Sequence, residues 1–169
     1  MNDDLRTLYP LVKGSRERVF AWLESLPTGV LTQERDDFAY GSLRNISEHV
    51  AGCYLTWIGK RGLGLSLDHL PQTDAADVAA LRALYAEVDS VVERALDEFT
   101  DIDAPVTIDW RGQPLKTTRR WLLLHPITHE FHHKGQALAL GRVLGHPYPP
   151  GPDTDLPTPF EETGPTGGA

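Results

Sequence analysis

Apolar residues recur at steps of three and four along most of the first 145 positions, which is the spacing that places side chains on one face of an α-helix. The pattern is clearest between Asp74 and Phe99, where the apolar positions are Val78, Leu81, Tyr85, Val88, Val92, Ala95 and Phe99. The same stepping runs from Leu5 to Leu26, from about Ser42 to Ile58 and from about Thr118 to Leu144. The pattern therefore predicts four long helices, each with one apolar face.

The segment between the third and fourth helices has a different character. Val106–Trp110 is rich in β-prone residues, and Arg111-Gly112 is typical of a turn, so a short hairpin or an irregular excursion fits. A two-stranded ribbon persists only when it packs against something larger. Four helices with one-sided apolar faces can bury those faces only against each other. The predicted fold class is therefore all-α, a four-helix bundle with this excursion before its last helix.

The last 24 residues differ from the rest of the chain. Residues 146–169 contain seven of the 13 prolines, four acidic residues and no lysine or arginine. Proline lacks the N–H group that helices and sheets need. We therefore expect one domain, a helical bundle over residues 1–145, followed by an extended or disordered tail over residues 146–169.

Length and charge narrow the functional classes. A chain of 169 residues suits one domain, and 16 basic residues against 24 acidic ones give a net charge of -8. This balance argues against binding to nucleic acid or to an anionic membrane. The acidic N-terminus does not resemble a signal peptide, and no apolar stretch approaches the ~18 residues needed to span a bilayer. We therefore expect a cytoplasmic protein that acts on a small molecule.

Histidines interrupt the apolar face of the fourth helix. Four of the seven histidines lie within nine residues, at His125, His129, His132 and His133. Three-four stepping from Leu122 places imidazoles in the middle of a face that is apolar at both ends. Burial of such a group without a partner costs about 1–3 kcal/mol. The sequence therefore predicts that something satisfies these rings.

A metal ion is one solution. Residues four apart on a helix differ by ~40° in direction and ~6 Å in height, so His129 and His133 can bind one ion. His49, at the edge of the apolar face of the second helix, is the candidate for a third ligand. Three imidazoles suit Zn²⁺, Ni²⁺ or Fe²⁺, and they leave a position open, as in catalytic zinc sites. The alternative is a hydrogen-bonded core without metal.

Four further residues near this face have open roles. Cys53, four residues after His49, can face the same cavity, but a small buried apolar residue is the simpler interpretation; as the single cysteine it excludes an intrachain disulfide. Gln136 either orients a ligand or binds substrate, or it is a polar residue at the edge of the face. Three roles are open for His125: a hydrogen-bond donor to a metal ligand, a contact to the substrate, or a polar group in the core. Glu130 points ~100° away from His129, which predicts a solvated surface acid.

The string from His129 to His133 also matches the His-Glu-x-x-His motif of zinc metallopeptidases. The longer form of that motif needs glycine and histidine where this chain has Gln136 and Ala139. An acidic third ligand would have to come from the proline-rich tail. This interpretation is therefore disfavoured.

With these residues in view, the chain resembles the DinB/YfiT-like superfamily of metal-binding four-helix proteins. The segment Gly41–Trp57 (GSLRNISEHVAGCYLTW) is similar to the second helix of that family, which carries a single metal histidine. The segment 125–136 (HPITHEFHHKGQ) is close to the family's pattern of a histidine followed by a His-Arg-Gly-Gln-like run. Lys134 stands where the family usually has arginine.

The resemblance carries implications of its own. It implies metal ligation by His49, His129 and His133, with zinc or nickel as the ion, an up-down-down-up bundle and often a homodimer. Characterised relatives include S-transferases and isomerases that use low-molecular-weight thiols such as bacillithiol, mycothiol or glutathione. The implied cofactors are therefore a divalent transition metal and a low-molecular-weight thiol.

Three functional hypotheses follow. The first is a metal-dependent enzyme that activates such a thiol for S-transfer to small electrophiles. The second is hydrolysis by a metal-activated water, with Glu48, Asp36 or Asp37 as the base. The third is a protein that binds a metal or small ligand without catalysis.

Overall fold

The computed structural model describes residues 3–66, 75–150 and 155–157, and four long helices account for most of them. The elements in chain order are α1 (Asp3–Ser25), α2 (Leu43–Tyr54), a π-helical segment (Leu55–Gly62), α3 (Val78–Glu98), β1 (Pro105–Trp110), β2 (Gln113–Thr118) and α4 (Arg119–Val143). The prediction of a helical bundle is therefore confirmed in outline, with a small sheet added to it. The third helix begins at Val78, after a cap at Asp77, so the predicted start at Asp74 is wrong: residues 75–77 are not helical, and Asp74 itself lies outside the described residues.

Three of the helices begin at a side-chain cap. Ser42, Asp77 and Thr118 all have extended backbones, and each side-chain oxygen accepts a hydrogen bond from the backbone N–H three residues later. Such caps satisfy one of the free N–H groups at a helix start and stabilise it by roughly 1 kcal/mol. The helix starts are thus set by local chemistry that is visible in the sequence.

The second helix, predicted to end near Ile58, changes its winding at Leu55 and continues to Gly62. The α-helical part stops at Tyr54, and the chain continues for eight residues, Leu55–Gly62, as a π-helix. π-helical turns are rare and frequently occur at functional sites. Here the segment places Trp57 against Trp110 of the hairpin, with ring centroids 4.8 Å apart. The change of winding therefore ties the second helix to the β-hairpin.

Of the two alternatives for residues 106–118, the hairpin is the one found. Strands β1 and β2 pair antiparallel from Pro105↔Thr118 to Trp110↔Gln113. The two turn residues, Arg111 and Gly112, have φ values of 54° and 77°, as the favoured two-residue hairpin turn requires. Ile108 anchors the hairpin in a small apolar cluster with Cys53, Trp57 and Leu122.

Glu130 is buried, and the prediction that it is a solvated surface acid is wrong. Arg16 of α1 donates to both carboxylate oxygens of Glu130 at 2.8 and 3.0 Å, and the Tyr54 hydroxyl donates at 2.6 Å. Arg16 also donates to Asp89, which accepts from the Tyr9 hydroxyl as well. The prediction failed because α1 covers the side of α4 that lies ~100° from His129, and the periodicity of α4 contains no information about its neighbours.

The Trp22 side chain of α1 packs directly against Gly141 of α4. A Cβ atom built on Gly141 would lie 2.4 Å from the ring of Trp22, so this position has no room for a side chain. Tyr148, just after α4, packs edge-on against the same indole at 5.8 Å between ring centroids.

The described part of the predicted tail, residues 146–150 and 155–157, forms neither helix nor strand, and the rest of it lies outside the described residues. None of the described helices combines enough length and apolarity to cross a membrane.

Candidate metal centre

The structure brings the imidazoles of His49, His129 and His133 together at the contact between α2 and α4. Their ring centroids lie 4.9 Å (49–129), 4.7 Å (49–133) and 4.2 Å (129–133) apart. One nitrogen of each ring lies within 4.8 Å of the corresponding nitrogens of the other two. The four-residue step on α4 supplies two rings on one face, and α2 supplies the third from across the interface. The arrangement can hold one metal ion.

Gln136 orients one of these rings. The Nδ1 atom of His133 lies 2.7 Å from Oε1 of Gln136, and because an amide oxygen only accepts, Nδ1 carries the proton and donates. The lone pair of His133 is therefore on Nε2, the nitrogen that remains for a ligand. A hydrogen bond behind a metal ligand commonly sets its tautomer in this way. The side-chain amide nitrogen of Gln136 also lies 3.2 Å from Nε2 of His132.

The electrostatics of the cluster keep the rings neutral. Burial lowers the pKa of His49, His129 and His133 from the ordinary value of 6.5. For His129, burial together with the neighbouring imidazoles lowers the pKa to about 4. Neutral imidazoles carry the lone pairs that a transition metal needs, so a divalent cation fits this donor set without competition from protons at neutral pH.

Tyr40 belongs to the site, and the sequence analysis missed it. Its hydroxyl lies 3.0 Å from Nε2 of His49, and its ring stacks on His49 at 4.3 Å and meets His133 edge-on at 5.1 Å. Its φ of 65° lies in the left-handed region, which costs a non-glycine residue on the order of 1–3 kcal/mol and is enriched at functional sites. No helical spacing connects a loop tyrosine to His49, so periodicity gave no signal for it.

A second group of possible ligands lies next to the first. The ligand atoms of Cys53, His125 and His129 also fall within 4.8 Å of one another. Cys53 is buried, and burial raises the pKa of its thiol to about 12 although the positive charge of Arg61 opposes this. His125 stacks on Trp121 with ring centroids 4.7 Å apart. The structure thus places Cys53 and His125 beside the histidine cluster, and Cys53 also packs in the apolar cluster with Trp57, Ile108 and Leu122.

Aromatic side chains line the approach to this second group. Trp57 contacts His125 edge-on at 4.7 Å, and the guanidinium of Arg61 lies 4.3 Å from the centroid of Trp57 and 5.1 Å from that of Trp110. Nε of Arg61 donates to the backbone oxygen of Asp109 at 3.1 Å, while its Nη1 is buried and has no hydrogen-bond partner in the described part of the chain. The sequence gave no sign of this arrangement, because it depends on the hairpin folding back onto the π-helical segment.

The acids considered as bases for hydrolysis have other roles or lie on the surface. Glu48 is buried, and its carboxylate accepts from the backbone N–H of Ala75 at 2.9 Å. Asp37 is exposed and accepts two hydrogen bonds from Arg35. Asp36 is exposed in the same loop. The glutamate of the peptidase-like motif, Glu130, is held by Arg16 and Tyr54, so it cannot act as that motif requires.

Comparisons with known proteins agree with the fold and the motifs. A model of the DinB family matches residues 1–160. Protein DinB of Bacillus subtilis (strain 168) is 25% identical over 154 residues, which cover 86% of this chain and 89% of that protein. The crystal structure of a DinB-like protein from Bacillus cereus ATCC 10987 has a TM-score of 0.63 at 22% identity, and the match covers 88% of this chain and 95% of that one. The structural likeness shows the fold.

The resemblance that rested on the segments 41–57 and 125–136 is thereby confirmed. The family model covers both segments, together with all the helices that carry the histidines. Because that match extends over nearly its whole length, this chain belongs to the DinB family.

Proposed function

We propose that this protein is a divalent-metal-dependent enzyme that activates a low-molecular-weight thiol for S-transfer to a small electrophilic molecule. The observation that carries the proposal is the cluster of three neutral imidazoles, His49, His129 and His133, with ligand nitrogens within 4.8 Å of one another. Three protein ligands leave room for a further ligand, the pattern of catalytic rather than structural sites. A divalent cation bound there would supply the positive charge that keeps a coordinated thiol deprotonated at neutral pH.

The protein's own residues bind and orient the reactants. The Tyr40 hydroxyl, 3.0 Å from Nε2 of His49, is placed to donate a hydrogen bond to a sulfur or oxygen atom at the cluster. Tyr40, Trp110 and Trp121 are 42%, 37% and 38% exposed, large apolar surfaces that an apolar electrophile can contact. Arg61, whose guanidinium packs against Trp57 and Trp110, suits a thiol that also carries a carboxylate.

The reaction is a substitution at the electrophile. The sulfur lone pair forms a new bond to the electrophilic carbon, and the bond from that carbon to its leaving group breaks. The leaving group departs with the electron pair, and the proton of the thiol passes to solvent. No oxidant or reductant is needed.

The test is turnover of the metal-loaded protein across a matrix of thiols and electrophiles. We expect metal- and thiol-dependent loss of electrophile, and a decrease of at least ~10²-fold in His49→Ala. His146→Ala, which removes an imidazole outside the cluster, is the matched control and should retain full activity. Metal-loaded protein that turns over no electrophile with any thiol would contradict the proposal, and hydrolysis in the absence of thiol would favour the second hypothesis.

A further inference from the structure

The facing surfaces of α2 and α4 carry possible metal ligands at regular steps. On α4, His125, His129 and His133 follow one another at four-residue intervals, and on α2, Cys53 follows His49 at the same interval. Each step advances ~6 Å along the helix with little rotation. Two facing helices with this spacing therefore place their ligands at two neighbouring levels rather than at one.

The two levels share one residue. The first consists of His49, His129 and His133 and is the centre described above; the second consists of Cys53, His125 and His129. At each level the three ligand atoms lie within 4.8 Å of one another. In tetrahedral zinc sites, bonds of ~2.0–2.3 Å separate neighbouring ligand atoms by roughly 3.3–3.6 Å. Each level thus needs only a modest closure of side chains to bind an ion.

Two of the three ligands at the second level have no competing hydrogen-bond partner among the described residues; the third, His129, makes a hydrogen bond to His49 at 2.8 Å that an ion at this level would replace. Within the described part of the chain, neither the thiol of Cys53 nor the ring nitrogens of His125 make a hydrogen bond. Both are held by packing instead, Cys53 in the cluster with Trp57 and Leu122, and His125 between Trp57 and Trp121. Side chains fixed by packing but free of hydrogen bonds are available to bind a metal at little cost in conformational entropy.

We propose that Cys53, His125 and His129 form a second metal position that prefers thiophilic cations such as Cd²⁺ or Cu⁺. Soft thiolate ligands select such ions, whereas a site of imidazoles alone does not. The two positions are alternatives, because a neutral imidazole offers one lone pair and both positions need that of His129. The protein therefore binds one ion at either level. This proposal concerns metal occupancy and does not depend on the S-transfer reaction.

Arg61 supports a charged sulfur at this level. Its guanidinium packs on Trp57, which lies in the same apolar cluster as Cys53, and its positive charge opposes the burial that raises the pKa of the thiol. Its buried Nη1 has no hydrogen-bond partner among the described residues. A metal-held thiolate would place negative charge beside this donor, whereas a neutral thiol does not. The first level has no comparable cation among its described contacts.

The experiment is a titration of the metal-free full-length protein with Cd²⁺, followed by ultraviolet absorption. Cys53 is the only cysteine, so any thiolate-to-metal charge-transfer band must arise from it. We expect one equivalent of Cd²⁺ to produce this band in the wild type and in His49→Ala, and Cys53→Ser to bind an ion without the band. The double variant His49→Ala/Cys53→Ser should bind Cd²⁺ at least ten-fold more weakly than His49→Ala.

Two results would overturn the proposal. One is the absence of a charge-transfer band in both the wild type and His49→Ala; the other is equal Cd²⁺ affinity in His49→Ala and the double variant. Circular dichroism checks that each variant folds. If His49→Ala does not fold, the rate of alkylation of Cys53 in the wild type is measured instead. Bound Cd²⁺ should slow this alkylation at least ten-fold, and an unchanged rate would exclude the site. Light scattering must show that the band arises in protein that is not cross-linked by the metal.

Discussion

The Nε2 atoms of His49 and His129 lie 2.8 Å apart and join α2 to α4 by a hydrogen bond between two imidazoles. One of the two rings must donate, so one Nε2 carries a proton in the metal-free protein. A metal ion that binds both rings through these atoms would replace the hydrogen bond, and the proton of the donor ring would move to its Nδ1 atom. The pair therefore links the stability of the helix contact to pH and to metal.

The pH dependence follows from His129. Its pKa is about 4 in the folded protein and 6.5 in the unfolded chain, so between these values the unfolded chain binds more protons. The free energy of unfolding contributed by this ring is thus present above pH 6.5 and is lost as the pH falls towards 4. We expect the melting temperature of chelator-treated protein to fall over this range, and to fall less in His129→Asn. Identical pH profiles for the two proteins would contradict the assignment.

Gln136 tests the role of ligand orientation. In Gln136→Leu, the Nδ1–H of His133 loses its acceptor, and the ring is free to adopt the other tautomer or to rotate. Loss of such a hydrogen bond behind a ligand weakens metal binding by about 10–100-fold. Isothermal titration with Zn²⁺ measures the change. Gln33→Leu, an exposed loop position, serves as the control and should leave the affinity unaltered.

A substitution at Tyr40 tests whether its hydroxyl contributes to metal binding or to the reaction. The variant Tyr40→Phe keeps the ring that stacks on His49 and removes only the hydroxyl. We expect Zn²⁺ affinity within a few-fold of wild type and thiol-dependent kcat lower by about 10²-fold, the usual contribution of a positioned proton donor. Tyr148→Phe is the control. A loss of metal affinity that accounts for the whole loss of activity would show that the hydroxyl acts through His49 alone.

The buried ion pair is a test of stability. In Glu130→Gln, Arg16 keeps its ion pair with Asp89 but loses the carboxylate that receives two of its hydrogen bonds. Leaving a buried charge with no partner costs about 3–5 kcal/mol, so with Asp89 still paired we expect a loss of up to about 3 kcal/mol. The exposed pair Lys13–Glu93 provides the control, since Glu93→Gln should cost no more than about 1 kcal/mol. Urea unfolding measures both, and equal effects would mean that burial does not matter here.

Alanine substitutions at two glycines of α4 distinguish the effect of side-chain packing on stability from the effect of helix propensity. In Gly141→Ala, the new methyl group collides with the ring of Trp22, and overpacking of this kind costs about 1–3 kcal/mol. A Cβ on Gly135 meets nothing within 4 Å, so Gly135→Ala should stabilise the protein by about 0.5–1 kcal/mol. Thermal melts of the two variants should therefore move in opposite directions. A shift in the same direction would contradict the packing of Trp22 on Gly141.

The helices, their caps and the hairpin were largely predictable because they depend on neighbours in the sequence. Ser42 and Thr118 cap within one residue of the predicted starts, and Arg111-Gly112 makes the turn expected of it. The step between His129 and His133 is likewise a local property of one helix. The choice of His49 as their partner needed only the further inference that apolar faces meet in a bundle.

The contacts between segments that lie far apart in the chain were decided only by the tertiary structure. Glu130 is buried because α1 happens to cover its side of α4 with an arginine, and Tyr40 reaches His49 through a left-handed loop residue that follows no periodicity. The second level of ligands exists because α2 and α4 pack in one particular register, which sets Cys53 beside His125 and His129. The periodicity of apolar residues shows which face of a helix is apolar, whereas the register between two helices is set by the packing of all their side chains together.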